Sequence, residues 1–338
     1  MKSKWAIIAY NIFDNWRTKK LFNLGHFETS YGSNINRISI KESLNYINNI
    51  FKDYISYSSL SKDKFIGKRI LEIGPGDNLG VALKFLVTGA SQVVCLDKFH
   101  VKRKLEQEYE LYRILRDELK DSLKNRIDEI IKLKNGIKIN PNKLNYICGI
   151  GIDKAKDILE QNSFDFIISR AVLEHIDNLD DAFSVMDDLL VPGGHMLHKI
   201  DFKDHGMFSN IGMHPLTFLT IPNFIYRLMT KDSGKPNRRL IQYYHRKMRE
   251  LEYDYKIYIT GIIGEEKEII PHIEKSRFNT NYSEEALTLI TKIHPHLISE
   301  FKKMLYEELM VSGIFLIAKK QHKLVHNNIK MELRQNFL

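Results

Sequence analysis

The chain has 338 residues, a formal charge of +9 and two cysteines. That length allows one large domain, or a core domain with additions, with no need of covalent staples, and so few cysteines exclude a disulfide scaffold and suit a reducing compartment. No charged segment leads into a long apolar stretch and no apolar run is long enough to span a bilayer, so a cytoplasmic protein without a membrane partner is expected.

Residues 1–65 mix aromatic and polar side chains. Trp5 to Phe13 is apolar but short, interrupted by Asn11 and ended by Asp14; Phe27-Glu28-Thr29-Ser30-Tyr31-Gly32 follows, and then a helical pattern runs through Ile40, Leu44, Ile47, Ile50 and Phe51. An N-terminal helical extension is expected, covering a sheet edge.

The next stretch, Arg69 to Asp97, reads as strand, glycine turn, helix, strand. Ile70 to Ile73 is a short apolar run broken at Gly74-Pro75-Gly76, the helix carries Leu79, Ala82, Leu83 and Leu86 and stops at Gly89, and Val93 to Leu96 ends in Asp97. A dinucleotide site wants a small residue at the last position of G-x-G-x-x-G so that helix and strand pack closely around a pyrophosphate. Leu79 stands there, Gly80 comes one residue late, and Glu72 would face a pyrophosphate with the wrong charge. Those residues favour a ligand with a positive group. S-adenosyl-L-methionine fits, with its amino group near Glu72, its methionine end along Gly74 and Gly76, and its ribose hydroxyls on Asp97.

Val101 to Lys134 is charged and holds Leu105, Tyr109, Leu111, Tyr112 and Leu115 on a helical period, which predicts one long or two shorter amphipathic helices. Lys143 to Cys148 is a third strand, followed by a turn through Ile152 and Asp153. Cys95 and Cys148, each inside a strand, read as small buried hydrophobes. Ser163 to Ser169 is a fourth strand, Arg170 to Ile176 a turn and helix start, and Pro192-Gly193-Gly194 precedes a fifth strand through Ile200. Tyr253 to Ile262 and Ser312 to Ala318 make two more strands, separated by a helical insertion from Asn281 to Met310 that Pro295 breaks. The tail from Gln321 is polar and expected to fray.

The acid, two glycines and second acid of the first unit, then S-F-D-F-I-I-S, V-L-E-H-I and L-L-V-P-G-G in order, resemble the class I S-adenosylmethionine-dependent methyltransferases, in particular their small-molecule, type 11-like branch. The resemblance covers residues 68–205 and, more loosely, the end of the chain. It implies an α/β, Rossmann-like, seven-stranded, mostly parallel sheet with helices on both faces and the last strand antiparallel. The expected divisions are a cap at 1–65, a cofactor-binding core at 66–205, a substrate lid and basic loop at 206–250, the last two strands with their insertion at 251–320, and the tail at 321–338. It also places Ile152 and Asp153 beside the adenine.

Ligands in open α/β sheets bind outside the carboxyl ends of the strands. Ser169 and Arg170 after strand four therefore join the cofactor-binding candidates Glu72, Gly74, Gly76, Asp97, Ile152 and Asp153. Methyl transfer is an in-line displacement that asks for positioning, plus a base if the acceptor is a hydroxyl, and His175, His198, Asp201 and His205 are the catalytic candidates. The run H-x-x-D-x-x-D-H over 198–205 has metal-ligand residue types. On a strand, His198 and Asp201 point to opposite faces, so the four cannot converge without a bend, and no metal is assigned.

Met207 to Thr230 is aromatic and apolar. Lys231 to Arg249 then carries seven bases against one acid, Asp232, and Arg238 and Arg239 suit an acceptor with a carboxylate, phosphate or sugar phosphate. The expected function is methyl transfer from S-adenosylmethionine to an oxygen of a small anionic or sugar-like molecule. Two alternatives stay open. A nucleic-acid (RNA) methyltransferase is favoured by the charge but not by Ser169-Arg170-Ala171-Val172, which stands where base-amine enzymes carry Asn/Asp-Pro-Pro-aromatic. A non-catalytic scaffold would have no need of the intact Glu72, Gly74, Gly76 and Asp97.

Overall fold

In the computed structural model, which describes residues 3–26, 28–29, 38–101, 103–265, 268 and 282–322, seven strands pair into one sheet. They are β1 (Arg69–Ile73), β2 (Gln92–Asp97), β3 (Leu144–Cys148), β4 (Phe164–Arg170), β5 (Leu190–Asp201), β6 (Asp254–Ile262) and β7 (Val311–Lys319). Their order across the sheet is 3-2-1-4-5-7-6, and β7 alone runs opposite in direction to the other six. Leu71 of β1 is opposite Val94 of β2 on one side and Ile167 of β4 on the other. The order reverses between β1 and β4, so a crevice opens there at the carboxyl ends of the strands.

Both faces of the sheet are covered, which is why its central strands read as nearly continuous apolar runs. Successive residues of β1 serve opposite layers. Ile70 packs with α2 (Ile40–Ser58), α3 (Gly80–Thr88), α4 (Leu105–Asp117) and α5 (Asp121–Ile130), around Phe85, Tyr112 and Ile127. Leu71 and Ile73 pack on the other side with α6 (Leu179–Leu189), α7 (Asn223–Thr230) and α8 (Ile241–Glu250), around Phe183, Met186 and Tyr244. Each of these fully buried side chains contributes roughly 1.5–3 kcal/mol.

The two N-terminal helices have different places. Ser39 caps α2 by accepting from the Glu42 N–H while Glu42 accepts in return from the Ser39 N–H at 2.8 Å, and α2 then joins the sheet layer against α3. Gly80 allows that approach, because a Cβ there would meet Ile47. The late glycine of the first unit therefore serves helix-on-helix packing. By contrast α1 (Lys4–Asn23) lies on α7. Lys4 Nζ donates to Thr220 Oγ1 at 2.6 Å, the Asp232 N–H donates to Asn15 Oδ1 at 2.7 Å, and Lys235 pairs with Asp14.

Several expectations shift in detail. The span after β2 forms two helices, and the region between β6 and β7 contains α9 (Glu284–Ile293) with Pro295 in the turn that follows. β5 begins at Leu190, before the Pro-Gly-Gly, because Gly193 and Gly194 exchange backbone bonds of 2.9 Å with Lys320. Cys95 is buried as expected, but Cys148 is exposed, since β3 is an edge strand and Cys148 ends it. The expectations for residues 30–32 and for the tail from 323 lie outside the described residues. No helix among the described residues is long and apolar enough to cross a membrane.

Candidate functional site

The crevice at the switch point is a cavity of about 1740 Å³. Single small-molecule pockets run to roughly 300–1,000 Å³, so it has room for two molecules side by side. The turn after β1 forms one wall. Gly74 and Gly76 hold φ of 68° and 75°, where side-chain-bearing residues are strained, and a Cβ on Gly74 would strike Val172 in the turn after β4. The Gly74 N–H is tied to the Leu96 carbonyl at 2.8 Å, which fixes the turn against β2. Asp97, at the end of β2, lines the same cavity and accepts from the Phe99 N–H at 3.1 Å; burial raises its carboxyl to about 6. Ile152 and Asp153 line it too, at the start of a short helical turn after β3.

Five candidates are not brought to this cavity. Glu72 points into the α2 to α4 layer, one residue out of phase with Ile73, where the Cys95 thiol donates to it at 3.5 Å and burial raises its carboxyl to about 7. Ser169 and His198 bond each other at 2.7 Å inside the sheet, and burial lowers the imidazole to about 3. Arg170 turns to α2 and pairs with Asp53 at 2.5 Å. Asp201 accepts from the Lys203 N–H at 2.8 Å. The 198–205 run does not converge: besides His198 and Asp201, the buried Asp204 is saturated by the N–H groups of Gly206, Phe208 and Ser209 and by Ser209 Oγ, at 2.6–3.0 Å.

His175 and His205 do meet at the cavity. His175 sits in a single helical turn after β4 (Leu173–His175), and His205 in the turn after β5, at φ 49°. The Asp204 bonds just described hold that second turn. Their rings lie edge to face with centroids 4.7 Å apart, and His205 Nε2 is 4.0 Å from Glu174 Oε1. Burial holds the Glu174 carboxyl well above the usual carboxylate range, lowers His175 to about 3 and lowers His205 as well, so both imidazoles are neutral at neutral pH. Glu174 follows strand four in the V-L-E-H-I run and so belongs at the crevice, but its sequence context assigns it no role, and only the fold shows that its side chain turns toward His205.

The basic loop is strapped onto this turn. The Asn237 N–H donates to the Glu174 carbonyl at 2.5 Å, and its side-chain amide donates to Leu173 and Ile176 carbonyls at 2.8 and 2.9 Å. Arg238 and Arg239 both line the cavity but differ in state. Arg238 donates to the Ile221 carbonyl at 2.5 Å and to Asn223, and stacks over Tyr226 at 4.2 Å; burial lowers it to about 10. Arg239 is exposed, 5.2 Å over Tyr243. Overall the lining balances eight lysine or arginine side chains with eight aspartate or glutamate side chains.

The family model for a methyltransferase domain matches residues 46–250. No curated protein matches the chain. Among solved structures it is similar to Haemonchus contortus phosphoethanolamine N-methyltransferase 2 in complex with S-adenosyl-L-methionine, at 15% identity and a TM-score of 0.41 over 81% of this chain and 53% of that one. It therefore spans about half the length of that protein. It is also similar to an S-adenosylmethionine-dependent methyltransferase from Mesorhizobium loti, at 14% identity and a TM-score of 0.40 over 81% of this chain and 100% of that one.

Proposed function

The chain belongs to the methyltransferase-domain family, as an S-adenosylmethionine-dependent enzyme of the class I superfamily, and from that premise we propose that it methylates an oxygen of a small hydroxylated acceptor. The observation that carries this reading is the meeting of two neutral imidazoles, His175 and His205, in the cavity that also holds the Gly74 to Gly76 turn and Asp97. A hydroxyl acceptor must lose a proton as it is methylated, and His205, the more open of the two rings, is the one placed to take it up, while the burial that lowers His175 to about 3 leaves that ring a weak base suited to positioning.

The residues fit the cofactor. The turn at Gly74 presents bare backbone where a Cβ has no room, Asp97 offers a carboxylate for ribose hydroxyls, and Ile152 and Asp153 offer an apolar face and an acceptor for the adenine and its amine. When bound, the cofactor supplies a methyl group on a positively charged sulfur. The remaining cavity volume is left to the acceptor, between the turns after β4 and β5 and the 206–250 segment that α1 straps down.

A lining of balanced charge, with Arg238 and Lys235 already engaged, supports a polyhydroxyl, sugar-like acceptor over a multiply anionic one, and Arg239 is left for a single anionic group. The test is incubation with methyl-labelled cofactor and a panel of sugar, sugar phosphate and carboxylate acceptors, with the product bond assigned by NMR. An O-methyl product, with turnover lost in His205→Ala and S-adenosylhomocysteine affinity retained, is expected. An N- or C-methyl product would overturn the assignment to oxygen.

A further inference from the structure

Glu174, His175 and His205 each offer one ligand atom, and these three atoms lie within 4.8 Å of one another. Two side-chain atoms of these residues, Glu174 Oε2 and His175 Nδ1, are buried and have no hydrogen-bond partner. Leaving a buried polar atom unpaired costs about 1–3 kcal/mol, so two in one cluster call for something that satisfies both.

The surroundings are those of a ligand set. The Gly234 backbone lies beside the His175 ring, whose Nδ1 is buried. Glu174 Oε1 accepts from the Asp201 N–H at 3.2 Å, His205 is fixed by the Asp204 turn, and Asn237 ties down the backbone on both sides of Glu174. Outer partners of this kind orient metal ligands. Two imidazoles and a carboxylate select a first-row transition ion over Mg²⁺ or Ca²⁺, which want oxygen alone.

We propose that Glu174, His175 and His205 bind one divalent transition cation, with the acceptor oxygen taking its open position on the cavity side. Bonds of about 2.0–2.2 Å require the three atoms to close by small side-chain rotations. The ion's role rests on the reading of a hydroxyl acceptor; its binding does not. With the ion in place the proton-withdrawing task passes from the imidazoles to the cation. The acceptor O–H releases its proton to water at the cavity mouth, the oxygen bonds to the methyl carbon, and the C–S pair stays on sulfur as S-adenosylhomocysteine leaves.

The probe is Co²⁺, titrated into tag-free, metal-stripped full-length protein and read by its visible d–d absorption, with Zn²⁺ as competitor. One Co²⁺ per chain is expected, displaced by Zn²⁺ and weakened at least ~100-fold in His175→Ala and in His205→Ala. Binding in the exposed-site control His296→Ala should match wild type. X-ray absorption of the wild-type Zn²⁺ form, which needs no variant to fold, should count two imidazoles. Absence of binding, equal binding in cluster and control variants, or a coordination shell without two imidazoles would each overturn the site. If metal-free protein still O-methylates at full rate, the oxygen reading stands and the ion's role in the reaction is overturned. An N-methyl product with Co²⁺ bound at the three residues does the reverse.

Discussion

Ser169 Oγ and His198 Nδ1 lie 2.7 Å apart on adjacent strands, directly opposite in register and both fully buried. The bond ties the two side chains together inside the sheet, away from the cavity, with His198 Nε2 buried and unpaired on the far side of the ring. His198→Ala should therefore cost about 2–4 kcal/mol of stability, from the lost ring and the stranded hydroxyl. In the folded fraction, S-adenosylhomocysteine affinity and turnover should stay within about twofold of wild type. His205→Ala should show the opposite pattern. Urea unfolding beside steady-state kinetics separates them, and loss of turnover in stably folded His198→Ala would return that residue to the mechanism.

Gly74 has two reasons to lack a side chain, its φ of 68° and the nearness of Val172. Gly74→Ala should cost about 1–3 kcal/mol and weaken S-adenosylhomocysteine binding at least tenfold by calorimetry. Adding Val172→Ala removes the clash but not the backbone strain, so the double variant should recover only part of the loss. Full recovery would show that sterics alone act there, and no recovery would show strain alone.

The fold was legible wherever a local period decides it. Alternation and apolar runs located the strands, Gly89 ended α3, and Asp97 ended β2 at the cavity. The same alternation could have warned that Glu72, even-numbered like Ile70, faces away from the side that Ile73 lines. What could not be read depends on distant partners. Arg170 is claimed by Asp53 of α2, Arg238 by the carbonyls of Phe218 and Ile221, and Asp204 by the turn it closes. Residue type shows what a side chain can do, but only the packed chain shows which partner takes it first. Glu174 is the converse case: its place after strand four puts it at the crevice, but nothing local gives it a role, and the turns after β4 and β5 bring it against two histidines.

Glu72 should contribute one component to the pH dependence of the cofactor-free protein, read as the difference between wild type and Glu72→Gln, because buried His175 and His198 contribute with the opposite sign. Burial raises its folded carboxyl from 4.5 to about 7, so below 4.5 folded and unfolded chains are both protonated and the stabilising contribution is complete. Between 4.5 and 7 the unfolded chain releases the proton while the folded chain keeps it, so stability falls as pH rises and levels off above 7. The full change is about 3 kcal/mol. Asp97, raised to about 6, adds a slope of the same sign. Glu72→Gln should lose this component alone, keeping those of Asp97, Glu174, His175 and His198, and be more stable than wild type at pH 8 in urea unfolding. Parallel curves for the two proteins would show that Glu72 is charged in the fold.

Arg238 and Arg239, adjacent and both cationic, should respond differently to the same substitution. Arg238→Ala removes a stacked guanidinium whose donors satisfy two loop carbonyls, and should cost about 2–3 kcal/mol. Arg238→Lys should not restore it, because an ammonium lacks the planar fork that reaches Phe218, Ile221 and Asn223 while lying over Tyr226. Exposed Arg239 should be replaceable by Ala within about 0.5 kcal/mol. Its effect should appear in the Michaelis constant, and only for acceptors that carry an anionic group. Thermal unfolding of the three variants, with KM compared between a neutral sugar and its phosphate, checks both halves. An equal rise in KM for the two acceptors in Arg239→Ala would mean that the side chain shapes the cavity without reading charge.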